Sequence, residues 1–224
     1  MSRETLERLP LFPLNTVLFP EGLLPLRIFE PRYKQLLADI TAKDAGRRFG
    51  VCLIRVGEEA GGIAVPFRTG TEAEIVSVRP AGATFSVLSQ GRRRFEVVEL
   101  HDSKPYAEAT VRFLDPPTGN GSRIMEEDRK LVDDVLWAYH GFVSSLRRSG
   151  AELEEGQIDT LPRTGEGIDP LVLSYRLAAA LPVDPKLQQI LLEVPTAAER
   201  LRRELEILHR ALVSMTDHEP RQAS

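Results

Sequence analysis

The residues of this 224-residue chain with the most chemical reach are its four histidines, its one cysteine and the run Arg92-Arg93-Arg94. His101, His140, His209 and His218 show no HExxH or other paired-ligand spacing, so they do not outline a metal site. No Gly-x-Ser-x-Gly elbow presents a serine nucleophile. No Gly-x4-Gly-Lys-Ser/Thr loop occurs and no lysine follows a glycine, which excludes nucleotide hydrolysis of the P-loop kind. His101 and Asp102 are adjacent, and neighbours on an extended chain point opposite ways, so the pair does not form a base and its orienting acid by itself. Cys52 lies inside the apolar run Phe49 to Ile54 and reads as a small core filler rather than a nucleophile. As the lone cysteine it forms no intramolecular disulfide or thiolate zinc cluster. With no secretion signal, the expectation is a reduced, cytoplasmic, non-catalytic protein without cofactor or metal.

Two clusters remain. Gly91-Arg92-Arg93-Arg94-Phe95 is the strongest basic one, able to touch phosphates as an RNA-binding module would. Its plainer reading has the arginines pairing with acids on adjacent strands. The net charge of −4 disfavours nucleic acid as the main partner. The second cluster is apolar. Leu23, Leu24, Leu26, Phe29 and Tyr33 crowd the turn into the first helix, more than one strand face and one short helix bury unaided. Core packing accounts for most of them, and an apolar groove for peptide segments is the one positive functional option left. The candidate peptide contacts are Leu23, Leu24, Phe29 and Tyr33, with Arg27 and Arg32 supplying hydrogen bonds to peptide carbonyls or termini.

The elements that must position these residues follow from periodicity. Leu9 to Leu26 is apolar, but Pro10, Pro13, Pro20 and Pro25 each cost a helix about 3 kcal/mol, so it is extended chain with turns and not a membrane span. The short extended pieces expected there are Leu11-Phe12, Val17 to Phe19 and Leu23 to Arg27. Pro31 suits a first helical position, and Tyr33, Leu36, Leu37 and Ile40 fall at i, i+3, i+4 and i+7, predicting a helix over 31–42. Strands are expected at Phe49 to Val56, Thr71 to Val78, Thr84 to Gln90, Phe95 to Leu100 and Tyr106 to Leu114, with a break at Gly91. Short strands at such spacing predict a small closed or nearly closed sheet.

Asp115 to Ser122, reading DPPTGNGS, ends the strand region, and everything beyond reads as helix: 123–147, 169–181, 184–192, and a last one announced by Pro195 and the capping box Thr196/Glu199. The expected division is a β-rich subdomain over 1–116, a linker at 117–122, a helical subdomain over 123–216 and a disordered tail at 217–224. The apolar stripes of the first and last of these helices leave room for a homodimer.

The segment Leu9-Pro-Leu-Phe-Pro-Leu-Asn-Thr-Val-Leu-Phe-Pro-Glu-Gly-Leu-Leu-Pro-Leu-Arg-Ile-Phe-Glu-Pro-Arg-Tyr33 resembles the opening of the Lon protease N-terminal, substrate-binding domain. Gly70-Thr-Glu-Ala-Glu-Ile75 followed by Ser89-Gln-Gly-Arg-Arg-Arg-Phe95 resembles that domain's second signature. Leu191-Leu-Glu-Val and Glu199-Arg-Leu201 resemble its closing helical segment. The resemblance implies an α+β fold, a PUA-like β pseudo-barrel followed by a C-terminal helical bundle. It implies recognition of unfolded or tagged polypeptides, with a separate ATPase or protease as partner, since ATP hydrolysis and serine-lysine peptidase chemistry belong to later domains of full Lon proteases. The expected role is that of an adaptor or regulator in protein quality control. In the related cereblon-type proteins a further domain carries a tryptophan cage; the single Trp137 lies on a predicted helix and does not supply one.

Overall fold

Alternating apolar residues and well-placed turns produce strands throughout the first half of the chain. The computed structural model describes residues 6–42, 46–59, 64–114, 126–150, 161–165 and 167–217. The linker expected at 117–122 and residues 218–224 of the tail expected at 217–224 lie outside them, while Asp217 ends the last helix. The elements in order are β1 (Leu6–Leu14), β2 (Leu23–Ile28), α1 (Pro31–Thr41), β3 (Arg48–Val56), β4 (Val65–Pro66), β5 (Thr69–Ala81), β6 (Thr84–His101), β7 (Glu108–Phe113), α2 (Glu126–Arg148), α3 (Pro170–Ala180), α4 (Pro185–Glu193) and α5 (Ala197–Asp217). The fold is α+β.

The sheet runs β1-β7-β6-β5-β3-β4, all antiparallel, and a parallel β1–β3 pairing closes the first five of these into a ring. β2 hangs on the outside of the ring, and among the described residues it pairs with β6 alone. Closure at so small a radius needs missing side chains. A Cβ on Gly70 would sit 2.5 Å from the Val51 carbonyl, so glycine there lets the backbones pass while the Phe95 ring fills the interior. Leu9, Leu11, Cys52, Phe95, Val97, Ala109 and Val111 form that interior core. A second core lies under α1, where Tyr33, Leu36, Leu37 and Ile40 pack against Phe12, Leu24, Ile28, Phe49 and Val87. The helical period read from the sequence is thus the buried stripe of α1.

Two local expectations change. Gly91 does not break a strand: β6 runs for 18 residues straight through it. A Cβ at Gly91 would lie 2.2 Å from the Phe19 carbonyl, so this glycine provides a close approach rather than a bend. Val17 to Phe19 is not a strand; Leu18 and Phe19 are buried there, and the Leu18 carbonyl accepts the Thr71 hydroxyl.

The chain divides into two compact units, 1–120 with 183–193, and 121–182 with 194–224. The strands therefore take α4 from the helical stretch expected over 123–216. The physical reason is polar: the Gln189 amide donates to the Thr69 carbonyl at 3.0 Å, and the Arg94 guanidinium donates to the Leu192 carbonyl at 2.8 Å. In the other unit, α2 and α3 pack on α5 around Val135, Leu136, Leu173, Leu177, Leu201 and Leu208. Thr196 caps α5 as the sequence predicts, accepting from the Glu199 N–H at 3.2 Å, and Asp169, expected as the first helical residue, instead caps α3 by accepting from the Leu171 N–H at 2.8 Å. Among the described residues no helix is long and apolar enough to cross a membrane.

Candidate functional site

The corner where β2 turns into α1 gathers the apolar residues singled out above, and the structure sorts them. Glu30 caps α1 from an extended conformation and Pro31 takes the first helical position. That geometry aims Tyr33 inward, where it is 5% exposed and stacks on Phe12 with ring centroids 3.9 Å apart and planes 12° apart. Leu24 is 9% exposed and belongs to the same core. Both face the core, because alternate residues of a strand and every third or fourth of a helix must face inward, and Tyr33 also lines the hollows beside the corner. Leu23 and Phe29 face out, 63% and 56% exposed.

The two candidate arginines differ as well. Arg32 is a clasp: it donates to the Glu30 carboxylate at 3.0 Å and the Glu59 carbonyl at 3.0 Å, and its guanidinium lies 4.6 Å from the centre of the Tyr33 ring. Arg27 is exposed and makes no hydrogen bond or ion pair among the described residues.

Two hollows meet at Tyr33. One, of about 290 Å³, follows β2 and the turn, lined by Pro25 to Glu30, with Phe12, Leu14, Tyr33 and Glu59 opposite. The other, of about 470 Å³, is lined by Pro13, Pro66, Leu100, Tyr106 and the polar residues His101, Asp102 and Lys104, besides Arg32 and Tyr33. Behind this second hollow Asp39 accepts hydrogen bonds from Tyr106 at 2.6 Å, Lys104 at 3.0 Å and Gln35 at 2.7 Å. Those donors, Tyr106 first, hold the Asp39 carboxyl down at about 2. His101 is tied to the Thr110 hydroxyl at 2.8 Å and has no acid to orient it toward a substrate among the described residues.

The arginine run is not assembled for phosphate. Arg92 pairs with Glu74 at 2.7 Å. Arg93 pairs with Glu72 at 3.0 Å and lies 3.6 Å from the centre of the Phe113 ring. Arg94 is 3% exposed and reaches the Leu192 carbonyl. Glu72, its side chain only 2% exposed, also takes Arg48 at 2.7 Å, so one buried carboxylate answers two cations. Buried groups such as Glu72 and Arg94 tolerate no withdrawal of a partner, which commits Arg93 and Arg94 to the barrel, while the Arg92–Glu74 pair lies nearer the surface. Cys52 is sealed in the interior core, where burial pushes its thiol up to about 12, far from a reactive thiolate.

Sequence reasoning overlooked Phe12, Leu14 and Glu59 as groove walls. β1 supplies the first two from the far end of a β1–β3 pairing that no local pattern announces.

The family model of the ATP-dependent protease La (LON) substrate-binding domain matches residues 8–210. The chain is similar to the Lon protease of Anaeromyxobacter dehalogenans (strain 2CP-C), 30% identical over 212 residues that make up 90% of this chain and 23% of that protein. It is also similar to cereblon of Danio rerio, 24% identical over 251 residues, covering 92% of this chain and 57% of that one. Among solved structures, a Lon N-terminal domain protein from Xanthomonas campestris matches with a TM-score of 0.61 and 26% identity, over 89% of this chain and 98% of that one. The N-terminal domain of a Mycobacterium avium complex Lon protease shares the fold at a TM-score of 0.61 and 18% identity, over 95% of this chain and all of that one. The chain spans 23% of the length of the Anaeromyxobacter and Myxococcus Lon proteases it matches.

Proposed function

Because the chain belongs to the Lon substrate-binding domain family, we propose that it recognises unfolded or tagged polypeptide without catalysing its cleavage, as an adaptor or regulator in protein quality control. A separate ATPase or protease supplies the energy and the peptidase chemistry. The site is the β2–α1 corner. The observation that carries this is the pairing of exposed Leu23 and Phe29 with an unengaged Arg27 along a walled groove. Apolar side chains there remove water from a bound segment, and Arg27 answers its carbonyls or its charge. In this reading Tyr33 walls the groove, Leu24 packs in the core behind it and Arg32 fixes Glu30 and Glu59 at its rim, so these three hold the shape of the site rather than the ligand.

Fluorescence anisotropy of a reduced, alkylated unfolded protein against this chain, from low to high salt, tests the proposal. Apolar capture persists or strengthens with salt, whereas phosphate binding through arginines weakens steeply. The double substitution L23S/F29S is expected to weaken binding about tenfold or more, from the apolar area no longer covered. Undiminished binding by that variant, or binding of a structured RNA in preference to polypeptide, contradicts the proposal.

A further inference from the structure

An edge strand offers a partner only those backbone groups that its neighbour does not use, so the phase of the β2–β6 ladder decides what β2 presents. Two observations fix that phase. β5 and β6 meet across a tight turn with Ala81 opposite Thr84, so Thr84, Ser86 and Leu88 bond to β5 and the residues between them face β2. Independently, the Gly91 N–H donates to the Gly22 carbonyl at 2.8 Å. The register continues that alternation as Leu24 with Ser89, Leu26 with Val87 and Ile28 with Phe85. Leu24, Leu26 and Ile28 therefore spend their backbone groups on β6. The N–H groups of Leu23 and Arg27, and the carbonyls of Leu23, Pro25 and Arg27, point away from it. Pro25 stands where its missing N–H leaves the ladder intact.

The groove lies along this edge. Successive residues of a strand point to opposite faces, yet Pro25, Leu26, Arg27 and Ile28 all line the 290 Å³ hollow. A hollow on either face of the sheet would touch only every second residue.

We propose that an extended polypeptide segment adds to β2 as a further strand, held by main-chain hydrogen bonds to Leu23, Pro25 and Arg27. This rests on the polypeptide-binding reading above and specifies how the segment is held. Its side chains alternate: apolar ones enter the slot walled by Phe12, Leu14 and Tyr33, and an acidic one stands beside Arg27, which has no anionic partner among the described residues. Exposed Leu23 covers one end of the segment and Phe29 the other. A second copy of β2 is a poor occupant. Antiparallel pairing about Pro25 sets proline against proline, a pair that makes neither of its two bonds, and places each Arg27 over an uncharged Leu23.

The test uses the full chain and a capped seven-residue peptide of alternating valine and threonine with one central glutamate. Two partners of that peptide are N-methylated on alternate residues in opposite registers. Amide exchange followed by NMR is expected to show Leu23 and Arg27 gaining about tenfold protection or more on saturation, with Leu24, Leu26 and Ile28 already protected in the free protein. One N-methyl register weakens binding about tenfold and the other leaves it within about twofold. R27P, which removes an outward N–H and leaves β6 bonded, is expected to keep the native circular dichroism and to weaken binding to the same degree. R27E is expected to reverse the preference from glutamate to lysine at the central peptide position.

If the unfolded protein binds but the Leu23 and Arg27 amides stay unprotected, or both methylated peptides bind alike, strand addition is wrong although polypeptide binding stands. Strand addition is equally wrong if the unfolded protein binds and the peptide does not. If those amides become protected with rising protein concentration alone, the occupant is a second copy and the proposal fails. If neither peptide nor unfolded protein binds, the reading beneath it fails too.

Discussion

Asp39 and Glu204 are two carboxyls displaced in opposite directions, and each makes a separate prediction. Asp39 is held at about 2 by Tyr106, then Lys104, then Gln35. Its folded value lies below its unfolded one, so its contribution is complete above about pH 4 and is lost as pH falls through 2. Tyr106→Phe removes the largest cause; the Asp39 titration read by NMR moves up toward the ordinary carboxylate value, and acid unfolding begins at a higher pH. Glu204 is fully buried, and among the described residues neither of its carboxylate oxygens has a hydrogen-bond partner. Arg200, one turn away, is occupied by Ser174 at 2.8 Å and the Val194 carbonyl at 2.6 Å. Burial raises the Glu204 carboxyl well above its usual range, with Arg200 opposing. The folded unit therefore holds the Glu204 proton to a higher pH than the unfolded chain does. Stability conferred by this group is intact below about pH 4.5 and declines as pH rises toward the folded value, by at most a tenfold change in folding constant per pH unit. Glu204→Gln flattens that slope in urea melts run from pH 5 to 8 and is more stable than the parent at pH 8. An unchanged slope contradicts the assignment. Neither residue stood out in the sequence, because the burial of a single acid depends on what other helices bring to it. The arginine run was visible, but its partners Glu72 and Glu74 lie 18 to 21 residues earlier and only strand register brings them across.

Among the elements, local signals read well and long-range ones did not. The period of Tyr33, Leu36, Leu37 and Ile40, the cap at Thr196, and the alternation of Ala109 and Val111 in β7 are all properties of short windows, and the structure uses each. The parallel β1–β3 closure, the attachment of α4 to the strands and the passage of β6 through Gly91 depend on residues far away in the chain. A lone glycine in a strand signals either a bend or a close approach, and only the Phe19 carbonyl distinguishes them. Gly91→Ala forces that carbonyl away and is expected to cost about 1–3 kcal/mol in urea unfolding. Because Gly91 also anchors Glu21 and Gly22 at the head of β2, the same variant is expected to weaken polypeptide binding. A variant as stable as the parent contradicts the close approach. Of the candidate site, the corner was legible and the division into walls and contacts was not, since the sequence crowded Leu23, Leu24, Phe29 and Tyr33 together without saying which of them the strand would turn outward.

For the whole molecule, the family relation and the groove point the same way. The matched family is defined by substrate binding, and the region matched is 23% of the Anaeromyxobacter Lon protease, so recognition is the activity proposed for this chain. The arginine-based alternative loses its basis once Arg92, Arg93 and Arg94 are each engaged within the barrel unit. The proposed location is specific: polypeptide should sit at the β2–α1 corner and not at another exposed apolar side chain, such as Trp137 at 76% exposure on α2. Photo-crosslinking tests this most directly, with Phe29→p-benzoyl-phenylalanine and Trp137→p-benzoyl-phenylalanine compared in the presence of the same labelled unfolded protein. Binding at the corner predicts a crosslink from position 29 that excess unlabelled polypeptide abolishes, and little from position 137. Equal yields from both positions, or a yield from 137 alone, would contradict it.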